Sequence, residues 1–226
     1  MHIEAGVVQG VKMAFSYGSA AVAFGIAGKL AVESMKNNGL LSFIFKTLIA
    51  SVLVFVFFEV LPHHPVGVSE VHLILGSTLF LLLGAAPAAF GLAIGLLVQG
   101  LFFAQFDLPQ YDINVTTLLM PLFAMSYVAS KIIPANIAYK DIKYKDALKL
   151  SLVYQGGIVT WVAFWALYGQ GFGAENLAAV SSFGLAYMSV VLVEPLIDLA
   201  VLAGAKTLGS FENSSFLNKR LYKAAV

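Results

Sequence analysis

The stretch LLSFIFKTLIASVLVFVFFEVL, Leu40–Leu61, runs for 22 residues with only two charged side chains, Lys46 and Glu59. As a helix it would rise about 33 Å, enough to cross a hydrocarbon core of about 30 Å. No soluble helix needs so long an apolar run, so this segment makes the chain a membrane protein. The whole composition agrees. Of 226 residues, 60% are hydrophobic and 11% charged, where a soluble domain carries about 25% charged residues. Mean hydropathy is +0.88.

Outward from Leu40–Leu61, further apolar segments cover Ala14–Val32, Leu73–Leu83, Ala85–Gln105, Asn114–Ile133, Leu148–Tyr168 and Ala178–Ala205. Turn-forming residues separate them: Asn37-Asn38-Gly39, Pro62 with Pro65, Gly84 with Pro87, Pro109, Pro134 and Gly169–Gly173. The reading is an all-α polytopic membrane protein of seven helices, forming one integral domain over residues 1–226. Lys36, Lys46, the group Lys131, Lys140, Lys143, Lys145 and Lys149, and the tail residues Lys206, Lys219, Arg220 and Lys223 mark one side. The breaks at 62–72, 106–113 and 169–177 carry no Lys or Arg. Positive loops stay cytoplasmic, which puts the N-terminus outside and the C-terminus inside, in a cell membrane. No cleavable signal is expected, because Glu4 precedes Lys12 and the first apolar segment is long enough to span.

The third segment is too short. A helix started by Ser69 as N-cap and ending at Leu83 would rise only about 22 Å, so the loop before it would dip below the outer surface. Irregular backbone is tolerated there only when it is buried in protein or lines a cavity. His63, His64 and His72 belong to that loop.

The N-terminus shares that side of the membrane. In Met1-His2, the terminal amine, the His2 amide nitrogen and its imidazole Nδ1 can close a five- and a six-membered ring around one cation. Three coplanar nitrogens favour Ni(II), Cu(II) or Co(II) over zinc or magnesium. His72 could supply a fourth nitrogen or be an interfacial histidine bonded to backbone. Ser69, Glu70, Asn114 and His64 are the candidates to support such a site. Asn114 would either cap the fifth helix or orient a ligand, and His63-His64 would form a relay or a polar outer loop. Glu194-Pro195 and Asp198 form an acidic pair at a kink, suited to a proton or cation path or to packing against a partner subunit. Ser19, Ala23, Ala27 and Ala31 make a stripe of small residues, suited to close approach by a partner or by a helix of this chain.

Several function classes are excluded. A net charge of +1 gives no basis for a nucleic-acid partner. Without cysteine there is no thiolate metal site. Gly25-Ile-Ala-Gly28-Lys29 lacks the spacing of a phosphate-binding loop, so no ATP site is expected. Neither H-E-x-x-H nor G-x-S-x-G occurs, and no enzymatic activity is expected.

Met1-His2-Ile3 with Gly6, followed by Pro65-Val66-Gly67-Val68-Ser69-Glu70-Val71-His72, resembles the CbiM/NikM family. These are the substrate-capture membrane subunits (S-components) of energy-coupling-factor transporters for cobalt and nickel. Val68 stands where that family commonly has Thr, and His63-His64 is additional. The resemblance implies a square-planar metal held by the Met1 amine, the His2 amide and imidazole, and His72. It further implies Co²⁺ or Ni²⁺ as transported substrate, no organic cofactor, and a link to cobalamin biosynthesis. A coupling membrane subunit and ATPase subunits would be the partners. The alternative is an ATP-independent carrier or channel for another small solute or cation.

Overall fold

The computed structural model describes residues 3, 5–212 and 214–224, with the backbone alone at 210. Helices dominate: α1 Met13–Asn38, α2 Leu40–Phe55, α3 Gly76–Leu83, α4 Ala85–Phe102, α5 Tyr111–Ile132, α6 Tyr144–Gln170, α7 Ala174–Thr207 and the short α8 Lys219–Tyr222. Among the described residues, six helical stretches are long and apolar enough to cross a membrane. Their outward faces carry Leu41, Leu48, Val52, Leu185, Leu192 and Leu196, all exposed, as a lipid-facing surface requires. The sequence breaks fall where expected, with Gly39 alone separating α1 from α2 and Gly84 alone separating α3 from α4.

The third segment departs from the expectation in a way that matters. Ser69 does not cap a helix. Ser69–Val71 is a strand, β2, paired antiparallel with β1, His64–Val66, in the register His64↔Val71, Pro65↔Glu70 and Val66↔Ser69. Val66, Val68 and Val71 favour extended backbone, and Gly67 turns the hairpin with φ +63. A Cβ on Gly67 would stand 2.0 Å from the Ala179 carbonyl oxygen, so the hairpin docks on α7 only because that position is glycine. The chain is then extended to Leu75, whose left-handed conformation (φ 54, ψ 38) blocks any helix from entering α3 earlier. The result is an eight-residue α3, about 12 Å long. It packs against α2, α4, α5, α6 and α7. Among the described residues the fold is therefore helical except for this hairpin and the bridge it makes to Ile3.

A second local feature serves the same region. The end of α2 widens into a π-helical turn, Val56–Val60. Such turns insert one residue and re-aim side chains; here Phe58 is driven into the core, fully buried.

Burial bears on two pairs of alternatives that the sequence left open. Ala23, Ala27 and Ala31 are buried within this chain, where α1 packs on α4 and α5, and Ser19 is half-buried with its hydroxyl donated to the Ser16 carbonyl. The stripe lets this chain's own helices approach and leaves little surface for a partner. Glu194 and Asp198 are likewise fully enclosed, not set against a partner. Asp198 accepts hydrogen bonds from the Ser77 and Thr78 hydroxyls, the first at 2.7 Å and the second at 2.5 Å. Glu194 accepts from Ser151 at 3.1 Å and Gln155 at 2.6 Å, and the Leu75 backbone N–H is also directed at it. The pair ties α7 to α6 and to the start of α3, and so holds the segment that follows His72.

Candidate metal centre

His72 leaves β2 and is 1% exposed. Its position is set by strand geometry, in which residues two apart share a face. Glu70 therefore lies beside it, and the His72 Nε2–H donates to Glu70 Oε2 at 2.8 Å. In the neutral imidazole that bond leaves the lone pair on Nδ1. Glu70 itself keeps 27% of its side chain exposed, so the carboxylate faces water on one side and the imidazole on the other.

Two rings enclose the imidazole. His63 stacks on it with centroids 4.8 Å apart and planes at 11°. Phe58, delivered by the π turn, meets it at 5.5 Å and 54°. His63 is steadied by its own backbone, with Nδ1 3.3 Å from the Leu61 carbonyl oxygen. His64 sits in β1 and is exposed, so of the two adjacent histidines the one beside His72 is His63. The described geometry brings His63 to the ring and leaves His64 on the exposed side of the strand.

The start of the chain reaches the same hairpin. Ile3 is 1% exposed and forms an antiparallel bridge to Ser69. Its N–H donates to Asn114 Oδ1 at 2.9 Å. Asn114 is the fourth residue of α5 and caps nothing; its role is to hold the N-terminal segment. Val8 accepts a hydrogen bond from Gln110 Nε2 at 3.3 Å. The Val7 carbonyl presses on Gly169, where a Cβ would lie 2.0 Å from it. The Lys12 ammonium then donates to the Gly169 carbonyl at 2.9 Å. Residues 5–12 are thus fastened across the ends of α5 and α6.

Met1 and His2, the expected chelate, lie outside the described residues. Among the described residues no three His, Cys, Asp or Glu side chains converge as a metal site. Ser69 is fully buried and contributes backbone, through the bridge to Ile3. Sequence reasoning missed Phe58 and the contact of His63 with His72. No signal in the sequence registers either, because the hairpin's strands are too short to show alternation.

Comparison with known proteins supplies the rest. No curated protein matches the chain. Two solved structures share its fold: a truncated transition metal transporter, 17% identical, with TM-score 0.62 over 92% of this chain and 99% of that one, and a transition metal transporter, 17% identical, with TM-score 0.62 over 93% and 94%. A family described as the cobalt uptake substrate-specific transmembrane region matches residues 2–208. Six membrane-length helices and a family match across nearly the whole length lead to one conclusion: the chain is a multi-pass membrane protein belonging to the CbiM family.

Proposed function

We propose that this protein captures Co²⁺ or Ni²⁺ from outside the cell for ATP-driven import by an energy-coupling-factor complex, as a single integral membrane domain. The Met1 amine, the His2 amide nitrogen and imidazole, and His72 Nδ1 hold the ion in one plane. The observation that carries this reading is the antiparallel bridge between Ile3 and Ser69. Ile3, the residue after the proposed chelating pair, is thereby joined to the hairpin from which His72 leaves.

The surrounding residues support a metal role. Metal-ligating histidines commonly give their second ring nitrogen to a carboxylate, which fixes the ring and raises its basicity. Glu70 does this for His72. Asn114 holds Ile3, and Phe58 and His63 shield the ring from water. Ligation by a deprotonated amide makes binding a proton-releasing step.

The lysine distribution supports an N-out, C-in orientation. On that reading α3 and the extended residues before it make a seventh, incomplete crossing, and the hairpin lies just below the outer surface. Release inward requires a separate coupling membrane subunit and ATPases, because this chain has no phosphate-binding loop.

The reading is tested by titrating purified protein with Ni(II) and Co(II), as wild type and as His72→Ala. The substitution is expected to weaken binding by about 100-fold, the share of one ligand in four. Unchanged affinity would remove His72 from the site. Uptake by this chain alone, with no ATPase present, would favour a carrier instead.

A further inference from the structure

At the other end of α2, Lys46 is 3% exposed. Its ammonium group has no hydrogen-bond or ion-pair partner among the described residues. It is the seventh residue of α2, about 9 Å along the helix from Leu40. Lysines near helix ends normally stretch to water. One enclosed beside a cavity, with no carboxylate at ion-pair distance among the described residues, carries a desolvation cost.

The space around Lys46 shows what could offset that cost. Lys46 lies on the wall of a cavity of about 190 Å³ together with Asn38, Ser42, Lys219 and Lys223, with Glu212 as the acid among the described lining residues. The tail is stitched into place there: Ser42 donates to the Ser215 carbonyl at 2.7 Å, and Lys219 to the Asn37 carbonyl at 3.0 Å. Among the described lining residues Lys46 and Lys219 stand against Glu212, a net positive charge that suits an anion. Lys46 also lines a second cavity of about 250 Å³, with Arg220 and Glu33.

An apolar groove adjoins the basic cavity. Leu217 lines both. The groove, about 310 Å³, runs on past Ile49, Leu82, Val201, Leu208 and Phe216. An inorganic anion or an acidic side chain would use the lysines and leave the groove idle. A phosphate joined to an acyl chain uses both.

We propose that Lys46 anchors the phosphate of an anionic phospholipid whose acyl chain lies in the groove beyond Leu217. The site is independent of the metal centre, which lies beyond the opposite end of α2, about 20 Å of helix rise away. Basic pockets between helices on the lysine-rich side of a membrane bind such headgroups. Phosphatidylglycerol fits the lysines. Phosphatidylcholine carries an ammonium group that they repel.

The test uses delipidated full-length protein in a neutral detergent. Phosphatidylglycerol, phosphatidylcholine and inorganic phosphate are compared by thermal unfolding and by native mass spectrometry. The expected result is one retained phosphatidylglycerol per chain and a rise in Tm of several degrees, with little effect from the other two. Lys46→Met should remove the phosphatidylglycerol-dependent shift and weaken its retention by about tenfold or more. The same variant should unfold no earlier than wild type without lipid. Lys46→Arg should keep the lipid preference. Equal stabilisation by phosphatidylcholine, an equal shift from inorganic phosphate, or full retention by Lys46→Met would each overturn the proposal. The wild-type lipid comparison stands even if a variant fails to fold.

Discussion

Removing the carboxylate beside His72 probes the candidate site without touching a ligand. The His72–Glu70 contact is a 2.8 Å bond from a fully buried ring to a carboxylate that is 27% exposed. Hydrogen bonds to charged groups contribute about 1.5–3 kcal/mol, and partial exposure puts this one near the lower end. At 1.4 kcal/mol per factor of ten, Glu70→Ala should weaken Co(II) or Ni(II) binding by about tenfold and by no more than about 100-fold. Losses of that size are typical of carboxylates behind metal-bound imidazoles. Glu70→Gln can still accept the Nε2–H but lacks the charge, so its loss should fall between wild type and Glu70→Ala. Isothermal titration of purified protein at fixed pH and salt gives the affinities, and thermal unfolding of the metal-free proteins shows whether the hairpin survives. If Glu70→Ala binds as tightly as wild type while remaining folded, Glu70 does not orient a ligand and His72 Nδ1 is not the donor.

The remaining predictions concern the hairpin and the proton count. Gly67→Ala combines a positive φ with a Cβ only 2.0 Å from the Ala179 carbonyl oxygen; it should lower stability by about 2 kcal/mol or more, read as an earlier unfolding midpoint and a lost metal-dependent shift. His63→Ala opens one face of the His72 ring and should weaken metal binding several-fold, whereas His64→Ala, on an exposed strand position, should leave it unchanged; equal losses would remove the distinction between them. Because the amide proton leaves on binding, affinity should rise about tenfold per pH unit, and more steeply below the α-amine pKa of about 7.7, where a second proton is displaced. A pH-independent affinity would argue against amide ligation.

Much of the architecture was legible because membrane spans are long and apolar. Leu40–Leu61 alone exceeds what a soluble helix needs, and Gly39, Gly84 and Pro62 mark the ends of elements for local steric reasons. The hairpin was not legible. Strands of three residues, Ser69–Val71 and His64–Val66, are too short to show alternation, and Ser69 offered a plausible helix cap. What decided between helix and strand lay far away, in the close approach of Gly67 to α7 and the left-handed turn at Leu75. The roles of Asn114 and Phe58 were hidden for a similar reason. One depends on a partner 111 positions earlier, the other on a π turn that sequence periodicity does not register. The acids at 194 and 198 were conspicuous in an apolar helix, yet their structural use required the hydroxyls of α3 and α6 to be in place.

The central claim is that the chain's free amine is itself a metal ligand. Nickel titration of full-length protein with that amine free, against the same protein with the amine formylated, tests it most directly. The account expects formylation to weaken binding by about 100-fold, one ligand's share of a four-donor site, with the unfolding midpoint of the metal-free protein unchanged. Equal affinity of the two forms would contradict it.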